Sequence, residues 1–386
     1  MLLELFAKFR RMDWLLTASM VALIAFGTTF IWSAGAARQT VYLQNIWYSY
    51  ACTAVLGLFI YFAISLIDYR KLVEVLATPC YLISLVLLVA VLIFGANIYG
   101  GKRWLWFFQP SEIAKLAVIL FIAHLVGHVG RESFKWFLAA ALAFGVPALL
   151  ILKEPDLGTA LVLAPSVMVM LLAARVWTKG LVVLIISGLL AAGLVLGTVY
   201  VAEHKTDPVQ KAEILKRLPL KDHQIKRLRV FLFPDQDVSG AGYNLRQALI
   251  SIGSGAVWGK GLKKGELKAL GYLPPSVSMN DFIFAVVGEE CGFVGNLTVL
   301  AFFLGLLLSI LKIAFFATDD RGRLIAAGVA TLIFCHIYIN IAMSIGLMPI
   351  TGLPLPFISA GRTFLIVLMA SLGFVQSVCV HREEEN

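Results

Sequence analysis

Residues 14–33 read WLLTASMVALIAFGTTFIWS, twenty positions without one charged side chain. A helix rises about 1.5 Å per residue, so a run of this length covers the roughly 30 Å hydrocarbon core of a bilayer. Lys8, Arg10 and Arg11 precede it, and small residues follow from Ser33 to Ala37, faintly like the cleavage site of a leader peptide. The run is nevertheless longer than the apolar core of about 7–15 residues that a leader peptide carries, so it reads as a retained first span.

The same pattern recurs along the chain. Of 386 residues, 60% are hydrophobic and 14% charged, against about 45–50% apolar and about 25% charged in a soluble domain. Apolar runs between turn signals predict about ten spans, near 14–33, 46–66, 76–94, 111–129, 135–152, 157–174, 178–201, 293–316, 324–345 and 363–380. The expected fold is therefore all-α, a polytopic membrane bundle that is continuous over 1–386. With the N-terminus inside, the inner segments hold Lys8, Arg70, Lys71, Lys135, Arg175, Lys312, Arg321, Arg323 and Arg382 among others, and the short outer loops hold few bases, which satisfies the positive-inside rule.

The formal net charge of +9 does not point to nucleic acid, because the bases sit between spans and in one long connection rather than along a soluble face. That connection, 202–280, lies outside and carries thirteen bases against seven acids. Apolar residues such as Ile214, Leu215, Leu218, Val230 and Phe231 run through it, so short helices on the membrane surface are expected. Its charge is either a solvated or headgroup-facing surface or a cover for an anionic substrate.

Charged residues at the edge of the apolar spans are the candidates for chemistry. Glu112 and Lys115, one turn apart after Gln109-Pro110-Ser111, form either a structural ion pair or the charged wall of a water-filled cavity open to the outside. Asp281, in Asn280-Asp281-Phe282-Ile283-Phe284-Ala285, lies where the long connection enters the apolar region. It is either a helix N-cap or a general base whose carboxyl is raised by partial desolvation. Glu289 and Glu290 follow and read as structural. The loop 346–362, with Pro349, Pro354 and Pro356, is not a regular helix and is expected to fold back over a cavity.

Other patterns fall away. His124 and His128 lack the Glu of a zinc-protease helix, and Cys52, Cys80, Cys291, Cys335 and Cys379 contain no C-x-x-C pair, so no metal site is signalled. Gly253 to Gly261 lacks a phosphate-loop pattern, and the sequon Asn296-Leu297-Thr298 lies inside a span.

The order of motifs resembles the SEDS family (shape, elongation, division and sporulation proteins) over essentially the whole chain. The resemblance rests on Arg11-Met12-Asp13-Trp14, Lys102-Arg103-Trp104, Gln109-Pro110-Ser111-Glu112, Glu154-Pro155-Asp156-Leu157-Gly158-Thr159-Ala160, Gly240-Ala241-Gly242-Tyr243, Gly259-Lys260-Gly261, Leu273-Pro274, Asp281 to Glu290, and Thr351-Gly352-Leu353-Pro354-Leu355-Pro356-Phe357. Thr351-Gly352, where the division branch tends to have a Lys, and the spacing of Gly259-Lys260-Gly261 favour the elongation branch. There are departures. The last outer loop reads Ser359-Ala360-Gly361-Arg362-Thr363-Phe364 where the family usually has Ser-Tyr-Gly-Gly-Ser-Ser. His336 stands where the family often has Gln, and Pro275-Ser276-Val277-Ser278 replaces acidic and basic residues.

What the resemblance implies is a peptidoglycan glycosyltransferase that polymerises lipid II into β-1,4 glycan strands, in the bacterial inner membrane, with both termini cytoplasmic and the active site facing the periplasm. Asp281 would be the catalytic base; Glu112, Lys115, Arg103, Arg229, Lys260 and Ser359 would form the substrate site, the cations meeting the departing pyrophosphate. The implied partners are lipid II and the lipid-linked glycan strand, a class B penicillin-binding protein (a transpeptidase) and other membrane proteins of the elongation complex. A divalent cation is open as a cofactor, although no carboxylate cluster marks a site for it. A lipid II transporter, for which the charges at depth speak, a division-type polymerase and a scaffold without chemistry are the other functions these residues allow.

Overall fold

The computed structural model describes residues 2–36, 41–98, 101–106, 108–127, 134–154, 156–205, 207–218, 220, 222–237, 240–265, 274 and 277–382. His128, Pro155, Leu273, Pro275 and Ser276, all used above, lie outside the described residues. The helices are α1 Leu2–Arg10, α2 Trp14–Ala36, α3 Val41–Gln44, α4 Ile46–Leu66, α5 Tyr69–Phe94, α6 Pro110–Val126, α7 Phe134–Lys153, α8 Leu157–Ala173, α9 Thr178–Glu203, α10 Pro208–Lys216, α11 Asp222–Leu232, α12 Ala241–Ser254, α13 Ile283–Phe315, α14 Asp320–Ser344 and α15 Arg362–Val380. Ten of them correspond one for one to the ten expected spans. Among the described residues, eight helices are long and apolar enough to cross a membrane, and α8 is a shorter apolar helix. The chain is a multi-pass membrane protein.

A bundle in lipid satisfies its backbone polar groups within helices, and its inner faces pack side chain on side chain. Here α14 and α15 are the most buried spans and form the centre, whereas α9 buries almost none of its apolar window and stands at the rim. Around the centre, α4 packs on α15, α8 on α14, α5 on α6 and α2 on α13.

Several boundaries differ from expectation, each for a physical reason. α5 starts at Tyr69 rather than near 76, because Asp68 caps it by accepting from the Arg70 N–H at 2.9 Å. Arg70, Lys71 and Glu74 made that first turn read as loop. A two-stranded antiparallel hairpin, β1 Ala96–Ile98 and β2 Gly101–Trp104, adds strand to a chain expected to be helical throughout.

The largest difference is in α13. Its helix begins about one full membrane half before the expected span at 293, and it is broken at Gly292, where φ is +65° and ψ −161°. Residues 283–290 are all buried. The pair Glu289 and Glu290 hid this half-helix from a hydropathy reading, but both carboxylates are answered inside the fold. Glu289 receives Ser251 Oγ at 3.1 Å and Lys260 Nζ at 3.2 Å, and Glu290 receives Ser33 Oγ at 2.7 Å. A side chain at 292 is excluded, since a Cβ there would lie 2.4 Å from the Gly259 nitrogen.

The long connection is helical, as expected, but not simply spread on a surface. α10 and α11 gather on the end of α9 around Val199, Ala202, Leu215 and Ile225, while α12 packs on α13. A short π-helical turn, Val277–Asp281, leads into α13.

Candidate functional site

Asp281 closes the π-helical turn at one end of the bundle, partly exposed at its rim and enclosed by protein elsewhere. Four elements converge on it. From α14, Asn340 Nδ2 donates to the Asp281 main-chain oxygen at 2.9 Å and to Leu353 O at 2.7 Å, which ties the turn to the loop that follows α14. That loop passes Asp281 at Gly352 (φ +76°), where an added Cβ would sit 3.6 Å from Asp281 Oδ2. From α11, Arg227 Nη1 donates to Thr351 O at 2.7 Å. From β2, Arg103 Nε donates to Glu154 O at 3.3 Å.

The electrostatics follow from this convergence. Burial pushes the Asp281 carboxyl up to about 6, and the guanidiniums of Arg227 and then Arg103 restrain the rise. Asp156 shares the cluster: it caps α8 by accepting from Thr159 N at 3.2 Å and also receives Gln109 Nε2 at 3.1 Å. Beside it, Glu154 is fully buried, and burial followed by the charge of Asp156 lifts its carboxyl to about 8, with Arg103 opposing. Arg227 itself is lowered, first by burial and then by Arg103. The arrangement places a buried, ionisable carboxylate of a partly exposed residue near two cations, which suits proton abstraction next to a place where negative charge develops.

The other expected site residues are distributed differently. Glu112 and Lys115 are paired at 2.8 Å, as spacing on a helix predicts, but at 3% and 1% exposure they do not wall an open cavity. Lys115 Nζ instead lies 2.9 Å from His336 Nε2 and 5.0 Å over the Phe364 ring, within the bundle. Arg229 turns to Glu203 on α9, not to Asp281. Lys260 serves Glu289. Ser359, 2% exposed, ties the loop to the turn before α13. Its Oγ donates to Asn280 O at 2.6 Å and accepts from Leu355 N at 2.8 Å. The loop does fold back as expected, with Leu353, Leu355, Phe357 and Ile358 buried.

Sequence reasoning singled out neither Arg227 nor Asn340, and it named Glu154 and Asp156 only within a motif. The signal for Arg227 was its place two residues from Arg229, since two residues on a helix point to roughly opposite faces. A cavity of about 840 Å³ on the long connection, lined by Lys211, Leu215, Lys226, Arg229 and Phe233, includes none of the groups around Asp281. Among the described residues no three His, Cys, Asp or Glu side chains are grouped to hold a metal ion, and the acids near Asp281 do not form such a set.

The family model described as FTSW_RODA_SPOVE, cell cycle protein, matches residues 13–384. Peptidoglycan glycosyltransferase MrdB of Escherichia coli (strain K12) is 37% identical over 369 residues, covering 94% of this chain and 92% of that protein. Among solved structures, a chain from work on the structural coordination of polymerization and crosslinking by a peptidoglycan synthase complex aligns with a TM-score of 0.74 at 28% identity, covering 97% of this chain and 99% of that one. The Rod shape determining protein RodA of Thermus thermophilus aligns at 0.67 and 26% identity, covering 97% and 98%. With a family match across nearly its full length and the same helical architecture in the solved relatives, this chain belongs to the FtsW/RodA/SpoVE family, the SEDS proteins.

Proposed function

We propose that this protein is a peptidoglycan glycosyltransferase that polymerises lipid II into β-1,4 glycan strands during cell-wall elongation. The observation that carries the reading is Asp281, a partly exposed residue whose buried carboxyl feels the charges of Arg227 and Arg103. The acceptor sugar hydroxyl attacks the anomeric carbon of the donor. A new C–O bond forms there as the bond to the lipid pyrophosphate breaks, and the configuration inverts. Asp281 takes the hydroxyl proton, and the electron pair departs on the pyrophosphate, whose charge the two arginines meet. No second carboxylic acid is required to protonate the leaving group, in contrast to an inverting glycosidase, because pyrophosphate leaves as a stabilised anion.

The excess of basic residues on the segments opposite Asp281 supports cytoplasmic termini and a periplasmic site. The elongation role is supported by the likeness to MrdB and to a rod-shape protein. The solved neighbour that coordinates polymerization with crosslinking supports a class B penicillin-binding protein as partner.

The test is polymerisation of labelled lipid II by the purified full chain, alone and with its transpeptidase. Asp281→Asn is expected to lower the rate by about 10²- to 10⁴-fold while the thermal unfolding midpoint holds. A variant that makes polymer at the wild-type rate removes the base, and wild-type protein that moves lipid II across vesicles without polymer removes the reaction.

A further inference from the structure

His336 of α14 and Phe364 of α15 meet around Lys115 of α6. The His336 and Phe364 rings are 4.6 Å apart, and the Lys115 ammonium lies 5.0 Å over Phe364 and 2.9 Å from His336 Nε2. An ammonium has three N–H donors and no acceptor. As the ammonium that pairs with Glu112 at 2.8 Å, Lys115 has only donors to offer, and the geometry assigns the acceptor role to His336 Nε2. The ring proton then resides on Nδ1, which lies 3.3 Å from Pro354 O and donates to it. His336 is 0% exposed, which sets both ring nitrogens inside the bundle.

Pro354 belongs to the loop that passes Asp281. Three successive ties hold that loop: Arg227 takes Thr351 O, Asn340 takes Leu353 O and His336 takes Pro354 O. Gly352, between the first two, is the point of approach to the Asp281 carboxylate. We propose that His336 is a positioning residue that carries the buried Glu112–Lys115 pair through its imidazole to the Pro354 carbonyl and so fixes the height of the loop beside Asp281. The proposal rests on Asp281 as the base. On this view the charged pair acts on the reaction from inside the bundle, without touching substrate.

The test compares His336→Ala and His336→Gln in the full chain, with lipid II as the probe and Asp281→Asn as the inactive reference. Gln accepts with Oε1 and donates with Nε2, and so is able to replace both bonds. His336→Ala is expected to lower kcat roughly ten- to a hundredfold with KM within about twofold. His336→Gln is expected to recover most of it. Wild-type kcat in His336→Ala, or a folded His336→Gln no better than His336→Ala, overturns the proposal. Should the Ala variant not fold, nitrogen NMR of the wild-type protein decides. The signal lost in His336→Gln is expected to show a protonated Nδ1 and a bare Nε2, and the opposite tautomer overturns the proposal. An active Asp281→Asn would remove the base while leaving the tautomer result standing, so the two failures are distinguishable.

Discussion

Arg227, on α11, donates from Nη1 to the main-chain oxygen of Thr351 at 2.7 Å, which fastens a helix of the long connection to the loop beside Asp281. Arg229, two residues on, faces away and pairs with Glu203. Replacing each by Met separates the two roles. Arg227→Met is expected to slow lipid II polymerisation by about 10²- to 10³-fold, the usual loss when one donor to developing negative charge is removed. Arg229→Met is expected to leave the rate within about twofold, since its partner lies outside the cluster. Equal losses in the two variants, measured as glycan formed per minute, would contradict the assignment.

The acidity of Asp281 sets a pH profile. Burial raises this carboxyl to about 6, and a base works only when ionised, so the rate falls as pH drops through that value and levels above it. Cations beside a carboxylate favour its charged form and hold its pKa down. Arg227→Met removes the stronger of the two restraints, so its acidic limb is expected to move to higher pH. The profile of kcat/KM against pH checks this, and a limb that stays in place or moves to lower pH would refute it.

Gly292 is a third point of leverage. Its φ of +65° with ψ of −161° is a conformation only glycine adopts readily, and an added Cβ would lie 2.5 Å from Val257 O. Gly292→Ala is expected to cost at least about 1–3 kcal/mol and to lower the thermal unfolding midpoint. Gly253, in the last turn of α12, has open space where a methyl group would go, and Gly253→Ala is expected to raise the midpoint or leave it. A tolerated Gly292→Ala would mean that the break in α13 does not need this backbone.

Much of the architecture was legible because hydrophobic length is a local property. Residues 14–33, 135–152 and 363–380 could be recognised as spans without any knowledge of their neighbours. Asp281 was legible as a candidate for a similar reason, since a carboxylate at the entry to an apolar run stands out. What escaped depends on pairing across the fold. Whether Glu112 and Lys115 meet water or a histidine from α14 is settled by residues 221 positions away. Arg227 and Arg229 are chemically equal in sequence and are told apart only by which side of α11 meets the Thr351 loop. The half-helix at 283–291 carries two glutamates, and hydropathy cannot see the serines and lysine that receive them.

That half-helix bears on how the protein is made. Nine residues with two carboxylates are too short and too polar to be retained in lipid as the chain is inserted, whereas 293–315 are long and apolar enough. What receives their carboxylates comes from elsewhere in the fold, Ser33 of α2 for Glu290 and Ser251 of α12 for Glu289. Residues 283–290 are thus expected to settle after 293–315, and a cysteine placed among them in a nascent chain is expected to react with an impermeant thiol reagent before, but not after, synthesis is complete.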